Sequence, residues 1–233
     1  MATEPTAPNE ITIGMLAFPG MQPLDMVGPL DFFVLTPGLR PVIVAQDTAP
    51  FTIGPGLQIA PEATFGDAPK LDVLFVPGGV GISGAIESRE TLRFLAERAA
   101  EARYVTSVCV GALVLGAAGL LRGYRATTHW RYRSLLPLVG AEPVVERVVR
   151  DRNRVTGGGV TAGIDFGLEL IAILRNDRTA EDAQLALEYD PHPPFDAGSP
   201  ATAPQAVVDD VLAATQKLYD EREALLRNLP RDG

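Results

Sequence analysis

The stretch "YVTSVCVGALVLGAAGLL", residues 104–121, decides how the chain is read, because it carries almost no charge and holds the only cysteine, Cys109. Its 18 residues fall within the roughly 17–25 that can span a bilayer. Its two halves differ, however: the first is β-branched and the second is rich in Ala and Gly. That asymmetry predicts a buried strand running directly into a buried helix, with Cys109 at the junction.

Working outward, strand-like and helix-like segments alternate. "ITIGMLAF" (11–18) reads as a strand, followed by the loop "PGMQPLDMVGP" and a short helix around 29–36; "RPVIVAQD" (40–47) is the next strand. "FTIGPGLQIAPEATF" reads as two short β segments about a Gly-Pro-Gly turn. "LDVLFVPGG" (71–79) is an apolar strand. "SRETLRFLAERAAEAR" (88–103) has helical spacing, with Leu92, Leu95, Ala96 and Ala99 expected on one face. Beyond the central stretch, "RATTH" is strand-like and "PVVERVVRDRNRVTGGG" predicts strands about an Asp-Arg-Asn turn. "TAGIDFGLELIAILRN" is a long apolar helix, and further helices are expected over about 178–189 and 204–228. The alternation predicts an α/β fold with a doubly wound, flavodoxin-like parallel sheet covered by helices on both faces. Residues 1–10 read as a disordered tail and 11–230 as one domain.

The 233 residues, 46% hydrophobic and 21% charged, suffice for a sizeable core. A net charge of −9 with scattered Lys and Arg offers no footprint for nucleic acid or anionic lipid. No signal peptide or membrane span is expected. A single cysteine forms no internal disulfide, and two distant histidines make a poor metal site; the thiol is expected to stay reduced, in the cytoplasm.

Parallel α/β sheets place their chemistry beyond the carboxyl ends of the strands. Three segments end there: Asp25 after the first strand, Gly78-Gly79 after "LDVLFVP", and Cys109. At a strand-to-helix elbow the unpaired N–H groups of the first helical turn favour an anion, so the sequence predicts a Cys109 pKa lowered from ~8.5 toward ~3.5–7.5. A buried, inert thiol is the alternative. "TGGGVTAG" lacks both the Walker A ending and the dinucleotide fingerprint, and reads as a packing device near Cys109.

These motifs, "YVTSVCVGALVLGAAGLLRGYRATTHW", "FPGMQPLDMVGP", "LDVLFVPGGVG" and "TGGGVTAGIDFGLELIA", resemble the DJ-1/PfpI superfamily over residues 11–205. The late "LEYDPHPPFDAGSPATAP" is similar to its isonitrile hydratase branch. The resemblance implies Cys109 as nucleophile and Asp25 as the acidic partner that carries protons. It also implies an anion pocket made by the backbone N–H groups of Gly79 and Val110, no cofactor, a small isonitrile substrate and a homodimer. One departure stands out: Val110 occupies a position commonly threonine in that branch. For its role Asp25 should titrate nearer neutrality than ~4, through burial and like-charge repulsion. Asp31 is a weaker candidate. His129, in "TTHW", is expected to support the site, since the position directly after the cysteine, where related peptidases carry a histidine, is Val110. His192 reads as a loop residue, and Tyr189 either lines or braces the pocket. The competing function class is a non-catalytic sensor whose thiol is oxidised reversibly, or a regulator that binds a small molecule.

Overall fold

The computed structural model describes residues 10–229, so the expected N-terminal tail lies outside the described residues except for Glu10. The chain opens with β1 (Ile11–Leu16), α1 (Pro23–Leu35) and β2 (Leu39–Ala45), followed by the short strands β3 (Phe51–Gly54), β4 (Leu57–Ile59) and β5 (Ala63–Thr64). Next come β6 (Val73–Val76), α2 (Ile82–Glu87), α3 (Arg89–Glu101), β7 (Tyr104–Ser107) and α4 (Gly111–Ala117). A two-residue β8 (Arg125–Ala126), a 3₁₀ segment (Trp130–Val139), β9 (Glu142–Pro143), β10 (Val148–Asp151) and β11 (Arg154–Gly157) lead to α5 (Ala162–Leu174), α6 (Asp177–Ala186) and α7 (Gln205–Arg227).

Seven strands form the central sheet in the order β10-β11-β7-β6-β1-β2-β5. All neighbours are parallel except β10 and β11, which form a hairpin about Asp151-Arg152-Asn153. The middle strands explain why the sequence reads so apolar. Every residue of β6 is buried, as are Val105, Thr106 and Ser107 of β7, because helices cover both faces. On one side α1 packs on α5 and α5 on α6; on the other α2, α3 and α4 pack together, and the 3₁₀ segment joins α4 to α7. No helix of the described residues is long and apolar enough to cross a membrane.

Three local expectations change. The first helix starts at Pro23 and not near residue 29, because Pro29, which reads as a breaker, is accommodated inside it. Pro23 itself suits a first helical turn, where a backbone N–H has no partner to lose. Asp25 therefore sits in the first turn of α1 and not in a loop. On α3 the buried face is Thr91, Phe94, Leu95 and Ala99; Ala96 points to solvent. Phe94 sets that phase by stacking on Phe65 with ring centroids 4.4 Å apart. "RATTH" contributes only β8, which pairs with β9 in a separate two-stranded sheet.

Candidate active site

The adjacent parallel strands β11, β7, β6 and β1 end at the same edge of the sheet. Their following residues converge: Gly158–Val160 after β11, Cys109 after β7, Gly78 after β6, and Asp25 one turn into α1. Cys109 adopts a left-handed φ of 54°, an uncommon state for a residue with a Cβ. The neighbours hold it there. Its N–H donates to the Gly158 carbonyl at 2.8 Å, and its own carbonyl accepts the Thr128 hydroxyl at 2.7 Å. Strain pinned from several sides in this way is a mark of functional positions.

Gly78 lies against the elbow. A Cβ there would stand 2.6 Å from the Val110 nitrogen and 2.9 Å from the Cys109 Cβ, so no larger residue fits. Its N–H donates to Asp25 Oδ2 at 2.8 Å. Asp25 is fully buried, and its Oδ1 accepts no hydrogen bond of good geometry. The carboxyl and the Cys109 thiol nonetheless couple directly.

Burial pushes the Asp25 pKa up from 3.8 to about 7, against the opposing bonds from Gly78 and Cys109. The neutrality expected of Asp25 is thus present, with desolvation and not like-charge repulsion as its main cause. The thiol behaves otherwise than the sequence predicts. Cys109 is 5% exposed, and burial followed by the Asp25 charge pushes its pKa up to about 12, although the Val160 and Val110 N–H groups favour the thiolate. The elbow argument fails because α4 is only seven residues long and the sulfur is shielded from water. The site pairs a thiol with a carboxyl group that titrates near neutrality.

Nothing in the Val160 side chain marks it as part of the site. Its N–H faces the sulfur from the Gly-rich loop, which therefore does more than aid packing; three glycines leading into α5 are the available signal. Gly79, at φ 132°, forms an isolated bridge to Met21, and its carbonyl accepts a bond from Arg222 Nη2 at 2.8 Å. His129 follows Thr128 and fills the space beside Gly159. Its Nδ1 accepts the Arg131 N–H at 3.3 Å, starting the 3₁₀ segment. Burial, then Arg222, Arg133 and Arg131, press its pKa down to about 4. Tyr189 stands further out: its hydroxyl donates to Asp165 Oδ1 at 3.0 Å, and Asp165 pairs with Arg147. Asp31 and His192 are exposed and apart from the elbow. Among the described residues no cluster of three His, Cys, Asp or Glu is placed to hold a metal ion.

Comparison with known proteins gives a consistent result. The DJ-1/PfpI family model matches residues 12–173. Isonitrile hydratase from Pseudomonas putida is 56% identical over 200 residues, which cover 86% of this chain and 88% of that protein. The crystal structure of a ThiJ/PfpI family protein from Pseudomonas syringae superposes with a TM-score of 0.90 at 48% identity, covering 97% of each chain. The transcriptional regulator GbdR of Pseudomonas aeruginosa is 42% identical over 120 residues, half of this chain but only 32% of the regulator. An elbow cysteine on a mostly parallel sheet, matched over most of the chain by that family model, leads to one conclusion: this chain belongs to the DJ-1/PfpI family.

Proposed function

We propose that this protein hydrates isonitriles to N-substituted formamides. The observation that carries the reading is the buried Asp25–Cys109 pair, in a chain 56% identical to an isonitrile hydratase along most of its length.

The raised pKa of both partners dictates the order of events. A thiol that ionises only near 12 is not a standing thiolate, so its proton must leave as the sulfur attacks. Asp25 in its carboxylate form takes that proton. The isonitrile carbon has both a lone pair and a low-lying empty orbital, so one carbon accepts both the sulfur and the proton. Asp25 returns the proton to it. The S–H bond is broken, C–S and C–H bonds are formed, and the product is a thioimidate, R–N=CH–S–Cys109.

In the second half Asp25, again ionised, takes a proton from the water that adds to this carbon. One water proton ends on nitrogen and the other returns to sulfur as the C–S bond breaks. The yield is R–NH–CHO and the free thiol. The N–H groups of Val110 and Val160 oppose the negative charge that appears on sulfur at attack and again at departure. The reading includes a homodimer in the reducing cytoplasm, which light scattering tests; a monomer mass at micromolar concentration removes the dimer.

Formamide release from a panel of alkyl and aryl isonitriles, followed by mass spectrometry, tests the activity. Wild type should form formamide and Cys109→Ala should form none. A wild type that hydrates no isonitrile overturns the reading in favour of an oxidisable sensor thiol.

A further inference from the structure

The mechanism above leaves a buried charge unused. Arg222, near the C-terminal end of α7, is 2% exposed, and its Nε has no hydrogen-bond partner. Its guanidinium lies 4.4 Å from the centroid of the Tyr132 ring, and its Nη2 donates to the Gly79 carbonyl. A buried, incompletely bonded charge is a poor way to pin a helix, since apolar packing of similar volume holds as well or better. The pinning is in any case done elsewhere. Arg131 bonds Thr215 and Gln216 of α7 at 3.0 and 2.9 Å and lies over the Tyr219 ring.

What Arg222 reaches is the turn that seats both reacting groups. Gly79 follows Gly78, whose N–H holds Asp25 and where an added Cβ would stand 2.9 Å from the Cys109 Cβ. We propose that Arg222 is a positioning residue for the Cys109–Asp25 pair: it fixes the Gly78–Gly79 turn and supplies the positive charge that offsets the negative charge forming on sulfur. The inference rests on the reading of Cys109 as the reacting group. Burial disfavours the charged form of Arg222, while Tyr132 first and negative charge on Cys109 after it favour that form. The other groups facing this charge are Tyr132 and His129 from the region of the 3₁₀ segment and Glu221 on α7 itself. Asp25 faces Cys109 from α1, while Arg131 and Arg133 bear on His129.

Because Cys109 is the only cysteine, its alkylation can be followed without ambiguity. The rate of iodoacetamide labelling against pH should be measured for wild type, Arg222→Lys and Arg222→Gln. Lysine keeps the charge; glutamine keeps a donor for Gly79 and loses the charge. Expected is a slowing of about tenfold or more at pH 8 in the glutamine variant and a lysine variant within about threefold of wild type. Equal slowing in both variants, or none in either, overturns the proposal. If Arg222→Gln does not fold, Arg222→Met replaces it in the same comparison. Labelling uses no isonitrile, so failure of this proposal is separate from failure of the hydratase reading, which formamide assays detect.

Discussion

Asp25 and His129 flank the same elbow, and burial drives them in opposite directions. The acid is lifted to about 7 and the base is pressed to about 4. Both shifts have one cause, since a low-dielectric surrounding favours whichever form is neutral. The consequence differs by chemical type. Burial brings a carboxyl group into the range where it exchanges protons at neutral pH, and takes an imidazole out of it. Hydrogen bonding deepens the contrast. His129 Nδ1 is already used in starting the 3₁₀ segment, whereas Asp25 Oδ1 has no bond of good geometry. A cysteine with a histidine nearby is therefore not a cysteine with a base.

The largest test of this contrast is turnover in two near-isosteric variants. Asp25→Asn should lower kcat/KM by ~10²–10⁴, the usual contribution of general acid–base catalysis. His129→Gln, which retains a polar side chain beside Gly159, should stay within about tenfold of wild type. Reversal of the two effects would move the proton carrier to His129.

The pH profile sharpens the same point. The first step needs Asp25 ionised, so kcat/KM should rise with pH and level off above about 7. About a hundredfold should separate pH 5 from the plateau, in wild type and in His129→Gln alike. A midpoint near 4, the value to which His129 is pressed, would contradict the assignment.

Stability offers a third test, with effects of a few kcal/mol. Asp25 holds its proton more tightly folded than unfolded, so it contributes stability at low pH that is lost as pH rises between about 4 and 7. Between pH 5 and 7 the loss is about 2 kcal/mol. His129 has the opposite sign: its folded pKa is depressed, so stability rises over about 4 to 6.5. The two slopes offset each other in wild type. Urea denaturation should show stability rising with pH in Asp25→Asn relative to wild type, and falling in His129→Gln. Parallel curves for all three proteins would mean that neither shift exists.

Much of this was legible along the chain, and what was not has identifiable causes. The β6 and β7 segments are short apolar runs between turn residues, and such runs mark buried parallel strands whatever lies far away. The convergence of Asp25, Gly78 and Cys109 follows from strand ends alone. The start of α1 was hidden because Pro29 suggests a break that tertiary packing overrides. The thiol's raised pKa is not legible, because an elbow is visible in sequence but the depth of its burial is not. Val160 and Arg222 lie 51 and 113 residues beyond Cys109; only the folded topology brings the Val160 N–H to the sulfur and, on a helix that returns at the end of the chain, Arg222 to the Gly79 carbonyl.

The smallest effect concerns the residue between the two flanks. Val110 is buried, stands at the start of α4, and faces the sulfur with its backbone N–H. Its side chain packs toward Gly78. Val110→Thr retains the N–H and nearly the same volume, but places a hydroxyl where an aliphatic group lies, and a buried hydroxyl needs an acceptor. If the anion is held by the main chain, kcat/KM should change by less than about tenfold, roughly 1.4 kcal/mol, and the midpoint near 7 should stay in place. A larger gain in rate, with that midpoint displaced, would mean that a hydroxyl at 110 enters the proton path. The division of labour between a working Asp25 and an idle His129 would then have a third participant.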